Sequence, residues 1–136
     1  MTAFEIISVA QSTGGRLDAQ WAVFITVHLA LLGGIIYVDR PLRKLEKAGA
    51  ILIYGAFAFF NYRLIVSLRD LLERCADSLA KLQGDEIGAG DAVAGYFSDL
   101  SNSGHFAQAE HSILAVHVTA FLIVLMAILL DRRAVR

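Results

Sequence analysis

The fold is decided by residues 48–83, which read AGAILIYGAFAFFNYRLIVSLRDLLERCADSLAKLQ. The first part, residues 48–66, is apolar almost all round, as a helix surrounded by lipid must be. The second part follows without Pro or Gly and is amphipathic. At about 1.5 Å per residue, one helix over the whole stretch would be on the order of 50 Å long, well beyond a hydrocarbon core of ~30 Å. The stretch therefore predicts a membrane span that continues as a packed helix outside the bilayer.

The composition of the whole chain agrees with a membrane protein. The chain has 136 residues, of which 57% are hydrophobic, and a formal net charge of −1. This is too apolar for a soluble domain, and the near-balanced charge gives no reason to expect nucleic acid as a partner. Because Cys75 is the single cysteine, an internal disulfide and a cysteine-built metal site are excluded.

Two further apolar stretches complete the expected layout. Residues 21–38 lie between Trp21 and Tyr37, which are typical interfacial aromatics, and residues 112–130 form the last span. The short link after the first span forces the first two spans to be antiparallel neighbours. We therefore predict an all-α membrane protein with three transmembrane helices in a single domain over residues 1–136.

The segment before the first span is expected to be a separate short helix. Residues 1–11 are weakly amphipathic, and the Ser-Thr-Gly-Gly sequence at residues 12–15 is typical of a helix break. Asp18 is then the expected N-cap of the first span.

Residues 67–111 are expected to form a small helical cap outside the membrane, made by the end of the second helix and a short helix over residues 91–100. Apolar residues recur there at spacings of three and four. We expect them to form an outer helical seam, packed within the chain or against the same helix of a neighbour: Leu68, Leu71, Cys75, Leu79 and Leu82. The charged residues between them, including Arg69, are expected to face solvent.

The orientation follows from the distribution of Lys and Arg. Basic residues are concentrated in the first link and in the C-terminal tail: Arg40, Arg43, Lys44, Lys47, Arg132, Arg133 and Arg136. By the positive-inside rule these segments are cytoplasmic, so the N-terminus is outside and the C-terminus inside. We expect a multi-pass protein of a bacterial inner membrane.

Four polar side chains are predicted to form a layer in the outer half of the spans: His28, Asn61, Arg63 and His117. Counted from the outer span ends at ~1.5 Å per residue, they lie roughly 5–11 Å deep. Such groups hydrogen-bond across the helices, or they serve an ion path, a proton relay or a ligand pocket. Arg63 can also extend its charge to the interface.

Small residues give the first span a flat face that could pack closely on another helix. They are Ala30, Gly33 and Gly34. A permissive glycine pair facing lipid is the alternative interpretation.

His28 and His117 lie at similar depth on two spans that run in the same direction, as bis-histidine ligation of haem b requires. In size and span number the chain resembles the small three-span anchor subunits of succinate dehydrogenase, which hold haem this way. Those subunits carry a His followed by an Arg-His pair and an Asp on one helix, and no such string occurs here.

The sequence contains no phosphate-binding loop, nucleophile elbow or zinc-protease motif. We therefore expect a non-enzymatic membrane protein without a cofactor that acts through assembly. It would be a homo-oligomeric channel-like module or an accessory subunit, with lipid and membrane subunits as partners. The alternative is a haem- or quinone-binding anchor that uses His28 and His117.

Overall fold

The computed structural model describes residues 2–38, 42–82 and 105–130, apart from the side chains of residues 82 and 105–109. Within these ranges the chain forms three α-helices: α1 (Ala3–Tyr37), α2 (Lys44–Leu82) and α3 (His105–Leu129). Each helix is long and apolar enough to cross a membrane. The expectation of an all-helical chain with three such helices is confirmed. The expected short helix over residues 91–100 lies outside the described residues.

Helices α1 and α2 pack antiparallel along almost their whole length. At one end, Ile6 and Ala10 of α1 pack against Cys75 and Leu79 of α2. Towards the other end, α1 contributes Leu31, Leu32 and Ile35 to a cluster with the first half of α2. With 35 and 39 residues, both helices are on the order of 50–60 Å long.

Helix α3 covers only part of this hairpin. Val124 and Ile128 of α3 are fully buried against Tyr54 and Ala58 of α2. Two regions result, which we call the bundle and the extension. The bundle consists of residues 21–38, 45–69 and 110–130 from all three helices. The extension consists of residues 3–20 and 70–82 from α1 and α2 alone.

Helix α1 is continuous, so the predicted break at residues 12–15 is wrong. Two interior glycines cost about 1 kcal/mol each relative to alanine. Against this, Ile6 and Ala10 are buried on α2, and burial of one large aliphatic side chain contributes roughly 1.5–3 kcal/mol. The Thr13 hydroxyl donates to the Val9 carbonyl at 2.7 Å and is thereby satisfied inside the helix. Packing on α2 thus outweighs the local tendency to break.

The N-cap of α1 is Thr2, and the expectation that Asp18 caps a helix is wrong. The backbone N–H of Thr2 donates to Glu5 Oε2 at 2.8 Å, and the Glu5 N–H donates to Thr2 Oγ1 at 3.3 Å. This reciprocal pair is a capping box. Asp18 lies in the interior of α1 with its side chain exposed.

An exposed apolar belt surrounds the bundle. Among the described residues, all but two of the exposed large hydrophobic side chains belong to the bundle, the exceptions being Phe4 and Leu71. On α2 the belt extends from Leu45 to Leu64, a length of roughly 30 Å that equals the thickness of a hydrocarbon core. The bundle is therefore the part of the chain that fits a membrane.

The buried face of the extension is shifted from the predicted seam. Cys75 and Leu79 are 6% and 2% exposed, Leu68 is half-buried, and the Leu82 side chain lies outside the described part. Leu71 is 41% exposed, so it is not part of a seam buried within the single chain. Arg69, expected to face solvent, is only 6% exposed. The spacing of the leucines does not identify the buried face correctly, because the charged residue Arg69 occupies one of the buried positions.

Candidate functional site: a buried polar and aromatic cluster

Polar side chains from all three helices are buried inside the bundle. His28 of α1 is 9% exposed, Asn61 of α2 is 5% exposed and His117 of α3 is 4% exposed. Arg63, the fourth residue of the predicted layer, does not join them, because its side chain is exposed on the bundle surface. Three of the four predicted residues are thus brought together, and we call them and their partners the polar cluster.

The imidazole of His28 is hydrogen-bonded on both sides. Its Nδ1 lies 2.6 Å from the carbonyl oxygen of Phe24, one helical turn earlier. Since a carbonyl can only accept, Nδ1 carries the proton. Nε2 is hydrogen-bonded to the hydroxyl of Tyr54 on α2, which is the donor when the ring carries a single proton. The pair joins α1 to α2.

His117 repeats this arrangement on α3. Its Nδ1 donates to the Ile113 carbonyl at 2.9 Å, again one turn earlier. Its Nε2 accepts from Asn61 Nδ2 of α2 at 3.4 Å, which is a long hydrogen bond. Each histidine therefore connects its own helix to a donor on α2, and α2 is the common partner of both.

Aromatic rings fill the space around the two histidines. The Phe24 ring lies against both imidazoles, with centroid separations of 4.0 Å to His28 and 4.2 Å to His117. Trp21 lies 5.7 Å from His117, and Tyr54 stacks on Phe121 at 5.7 Å with an interplanar angle of 4°. The cluster is consequently a packed interior and not an open channel through the single chain.

Sequence reasoning missed Tyr54 and Phe24. Tyr54 is 2% exposed and hydrogen-bonds to His28, whereas the sequence pattern predicts an almost entirely apolar helix over residues 48–66. A signal was present, because Tyr54, Ala58, Asn61 and Ile65 follow one another at spacings of four, three and four. Extending the helical periodicity back to Tyr54 would have identified the residues of α2 that face α1 and α3.

The geometry does not fit a haem held between His28 and His117 in this arrangement. Axial ligation needs one ring nitrogen of each histidine directed at the iron. All four ring nitrogens lie at hydrogen-bonding partners, and Phe24 packs against both rings. In the described part of the chain, no three His, Cys, Asp or Glu side chains are grouped so that they could hold a metal ion.

Arg69 is buried where the bundle meets the extension. Its Nη2 lies 3.6 Å from Glu73 Oε2, and its Nη1 lies 3.9 Å from Glu110 Oε2 of α3. Its Nε and Nη1 have no hydrogen-bond partner within the described residues. The ion pairs are therefore loose, and the guanidinium is less well satisfied than either histidine.

The small-residue face of α1 is uncovered. Ala30 and Gly34 are exposed and Gly33 is half-buried. A Cβ atom added at either glycine would meet no atom within 4 Å. The face is longer than the predicted Ala30–Gly34 segment, since exposed small residues recur at every fourth position: Ala22, Thr26, Ala30 and Gly34.

Comparison with known proteins gives no match to any family model, curated protein or solved structure.

Proposed function

We propose that this chain is a small, non-enzymatic integral membrane protein that acts by assembling with other membrane helices, in the first place with copies of itself. The observation that carries this proposal is the uncovered face of α1, formed by Ala22, Thr26, Ala30 and Gly34. A homo-oligomeric module follows if the partner is a second copy. An accessory subunit of a larger complex follows if the partner is another protein.

The physical reason lies in the solvent. Lipid tails are as apolar as leucine, so helices in a membrane associate through close packing and not through the hydrophobic effect. Small residues at every fourth position allow two backbones to approach closely. Only 11% of the most apolar window of α1 is buried within the chain, which leaves this helix largely available.

The polar cluster supports the same function by holding the three helices in fixed positions relative to one another. His28–Tyr54 connects α1 to α2, and Asn61–His117 connects α2 to α3. With its neighbours fixed, α1 presents a constant face to a partner, and less ordering is required when the partner binds.

The test compares two exposed alanines in the membrane belt. Ala30→Leu places a large side chain on the small-residue face, whereas Ala56→Leu makes the same change on an exposed position of α2. We expect Ala30→Leu to shift the protein to a smaller species, measured as mass in detergent or nanodiscs, and Ala56→Leu to leave the mass unchanged. A monomeric wild-type protein, or equal masses for both variants, would contradict self-assembly through this face.

We further propose that the extension lies outside the membrane, with the C-terminus cytoplasmic and the N-terminus outside, in a bacterial inner membrane. Supporting this, Arg43, Lys44 and Lys47 adjoin the belt at the opposite end of the bundle from the extension. The extension would belong to the outer cap; the rest of the expected cap, residues 83–104, lies outside the described residues.

Cys75 reports the orientation, because it is the only thiol. It is buried in the extension, and burial raises the pKa of its thiol, so less thiolate is present at neutral pH and labelling of the folded protein should be slow. After mild denaturation, a membrane-impermeant maleimide should label Cys75 in intact cells. Labelling that requires a permeabilised inner membrane would invert the topology.

The haem-binding alternative is decided by an absorption spectrum of the purified protein. A Soret band that disappears in His28→Ala or His117→Ala would support it. We expect a folded protein without such a band, because His28 and His117 use their ring nitrogens to hold the bundle together.

A further inference from the structure

A lipid-facing groove between α2 and α3 lies beside the polar cluster. Its volume is about 280 Å³, and its walls include Gly55, Phe59, Tyr62, His117, Val118 and Phe121. Phe59 and Val118 belong to the exposed apolar belt, so the groove is entered from the hydrocarbon region. We propose that this groove binds the ring of a neutral quinone dissolved in the membrane.

The shape of the groove suits a planar ring. Phe59 and Phe121 supply aromatic walls, and aromatic rings stack favourably on such walls. Gly55 lines the groove without contributing a side chain to it. A Cβ atom at residue 55 would lie 3.5 Å from Phe121 Cε2, and a longer side chain would occupy the groove. The volume is at the small end for a ligand pocket, which fits a ring head group better than a larger molecule.

The polar groups in the walls define the ligand's hydrogen bonding. Tyr62 packs edge-on against His117 with a centroid separation of 5.6 Å. His117 already uses both ring nitrogens, whereas the Tyr62 hydroxyl has no hydrogen-bond partner among the described residues. It is therefore available to donate to a carbonyl oxygen. Among the described residues, the walls contain no Asp, Glu, Lys or Arg, which favours an uncharged ligand.

A second lipid-facing groove provides an internal comparison. It has a volume of about 370 Å³ and is lined by Ala115, Val116, Thr119, Ala120 and Ile123 of α3. It is larger, but its described walls include no aromatic ring and no histidine. An acyl chain would enter both grooves, whereas a quinone ring should prefer the one with Tyr62 and Phe121.

Trp21 is a built-in reporter of binding. It is the only tryptophan in the chain, and its ring lies 5.7 Å from that of His117 in the groove wall. Because quinones quench indole fluorescence on close approach, the probe is a short-chain benzoquinone titrated into the full-length protein in detergent micelles. Micelles containing a tryptophan ester correct for absorption and for simple partitioning. We expect quenching that saturates in the wild-type protein.

Two variants and one matched control test the location. Gly55→Leu fills the groove and should abolish the saturable quenching. Tyr62→Phe removes only the hydroxyl and should raise the apparent Kd about 2- to 10-fold, the range expected for one neutral hydrogen bond. Ala120→Leu fills the second groove and should leave the Kd unchanged.

Circular dichroism shows whether Gly55→Leu folds. If it does not fold, Tyr62→Phe still tests the proposal. Quenching that never saturates in the wild-type protein would overturn the proposal, as would a Kd that is unchanged in both groove variants. The oligomer mass is read separately on α1 variants, so failure of quinone binding and failure of assembly are distinguishable.

Discussion

Among the described residues, the bundle buries several polar side chains within an apolar core, whereas the buried side chains of the extension are apolar apart from Thr13. Inside the bundle lie His28, Asn61 and His117, and its outer surface is apolar. Inside the extension lie Ile6, Ala10, Cys75 and Leu79, and its exposed positions include Arg74, Asp77 and Lys81. The same two helices, α1 and α2, contribute to both regions. The difference therefore does not arise from a change of secondary structure.

The proposed placement, with the extension in water and the bundle in lipid, would account for this difference. In water, burial of apolar area stabilises a helix pair, and the polar face is solvated without cost. In lipid, apolar side chains gain nothing by leaving the solvent, whereas polar groups must find partners within the protein. Hence α2 places Tyr54 and Asn61 inward in the bundle, and Cys75 and Leu79 inward in the extension, on one continuous stripe.

The largest effect is expected from placing an aspartate on the outer surface of each region. Leu52 is 73% exposed in the belt, and Leu71 is 41% exposed in the extension. Leu52→Asp should cost about 3–4 kcal/mol of insertion free energy, since aspartate near a span centre is strongly disfavoured. Leu71→Asp should cost about 0.5 kcal/mol or less, as is usual for surface positions. A membrane-insertion assay measures both, and equal penalties would show that both regions face one solvent.

The next largest effect is expected from truncating the core of the extension. Leu79 is 2% exposed against Cys75 and Ile6, so Leu79→Ala should lower the unfolding free energy by about 2–3 kcal/mol. Leu71→Ala should change it by about 0.5 kcal/mol or less. Thermal unfolding and hydrogen exchange of the extension are the measurements. If both variants lose the same stability, the helix lies in another orientation about its axis.

A smaller effect is expected from the hydrogen bonds of the bundle. Tyr54→Phe leaves Nε2 of His28 without its donor and should cost about 0.6–1.7 kcal/mol, the range found for hydrogen bonds between membrane helices. Tyr62→Phe is the matched control, because the Tyr62 hydroxyl has no partner among the described residues, and it should cost close to nothing. Unfolding in mixed SDS micelles gives both values. A Tyr62→Phe loss as large as that of Tyr54→Phe would contradict this assignment of donors.

The smallest effect is expected at the boundary between the two regions. Glu110 is 53% exposed and 3.9 Å from Arg69, so Glu110→Gln should cost at most about 1 kcal/mol. Arg69→Met replaces a poorly satisfied guanidinium by an apolar chain of similar length and should be neutral or slightly stabilising. The same unfolding assay applies. A loss above about 2 kcal/mol in Arg69→Met would show that this residue fixes α3 to the extension.

The amino-acid sequence by itself determined the all-helical class and the approximate position of three helices that are long and apolar enough to span a membrane. Apolar length and 3.6-residue periodicity are local properties, so the continuation of α2 beyond its apolar stretch could be predicted from residues 48–83. The concentration of polar groups in one half of the apolar stretches was likewise visible, and His28, Asn61 and His117 are buried inside the bundle.

Only the tertiary structure decided which side of each helix is covered. The buried face of α2 differs from the predicted seam, because Leu71 is exposed within the chain and Arg69 occupies one of the buried positions. The continuity of α1 through Gly14 and Gly15 depends on packing against Cys75 and Leu79, far away in the sequence. The partner of His28 is Tyr54 for the same reason. Hydrophobic periodicity identifies the buried side of a helix only to within about one residue. The exact rotation of the helix about its axis is set by packing against the neighbouring helix.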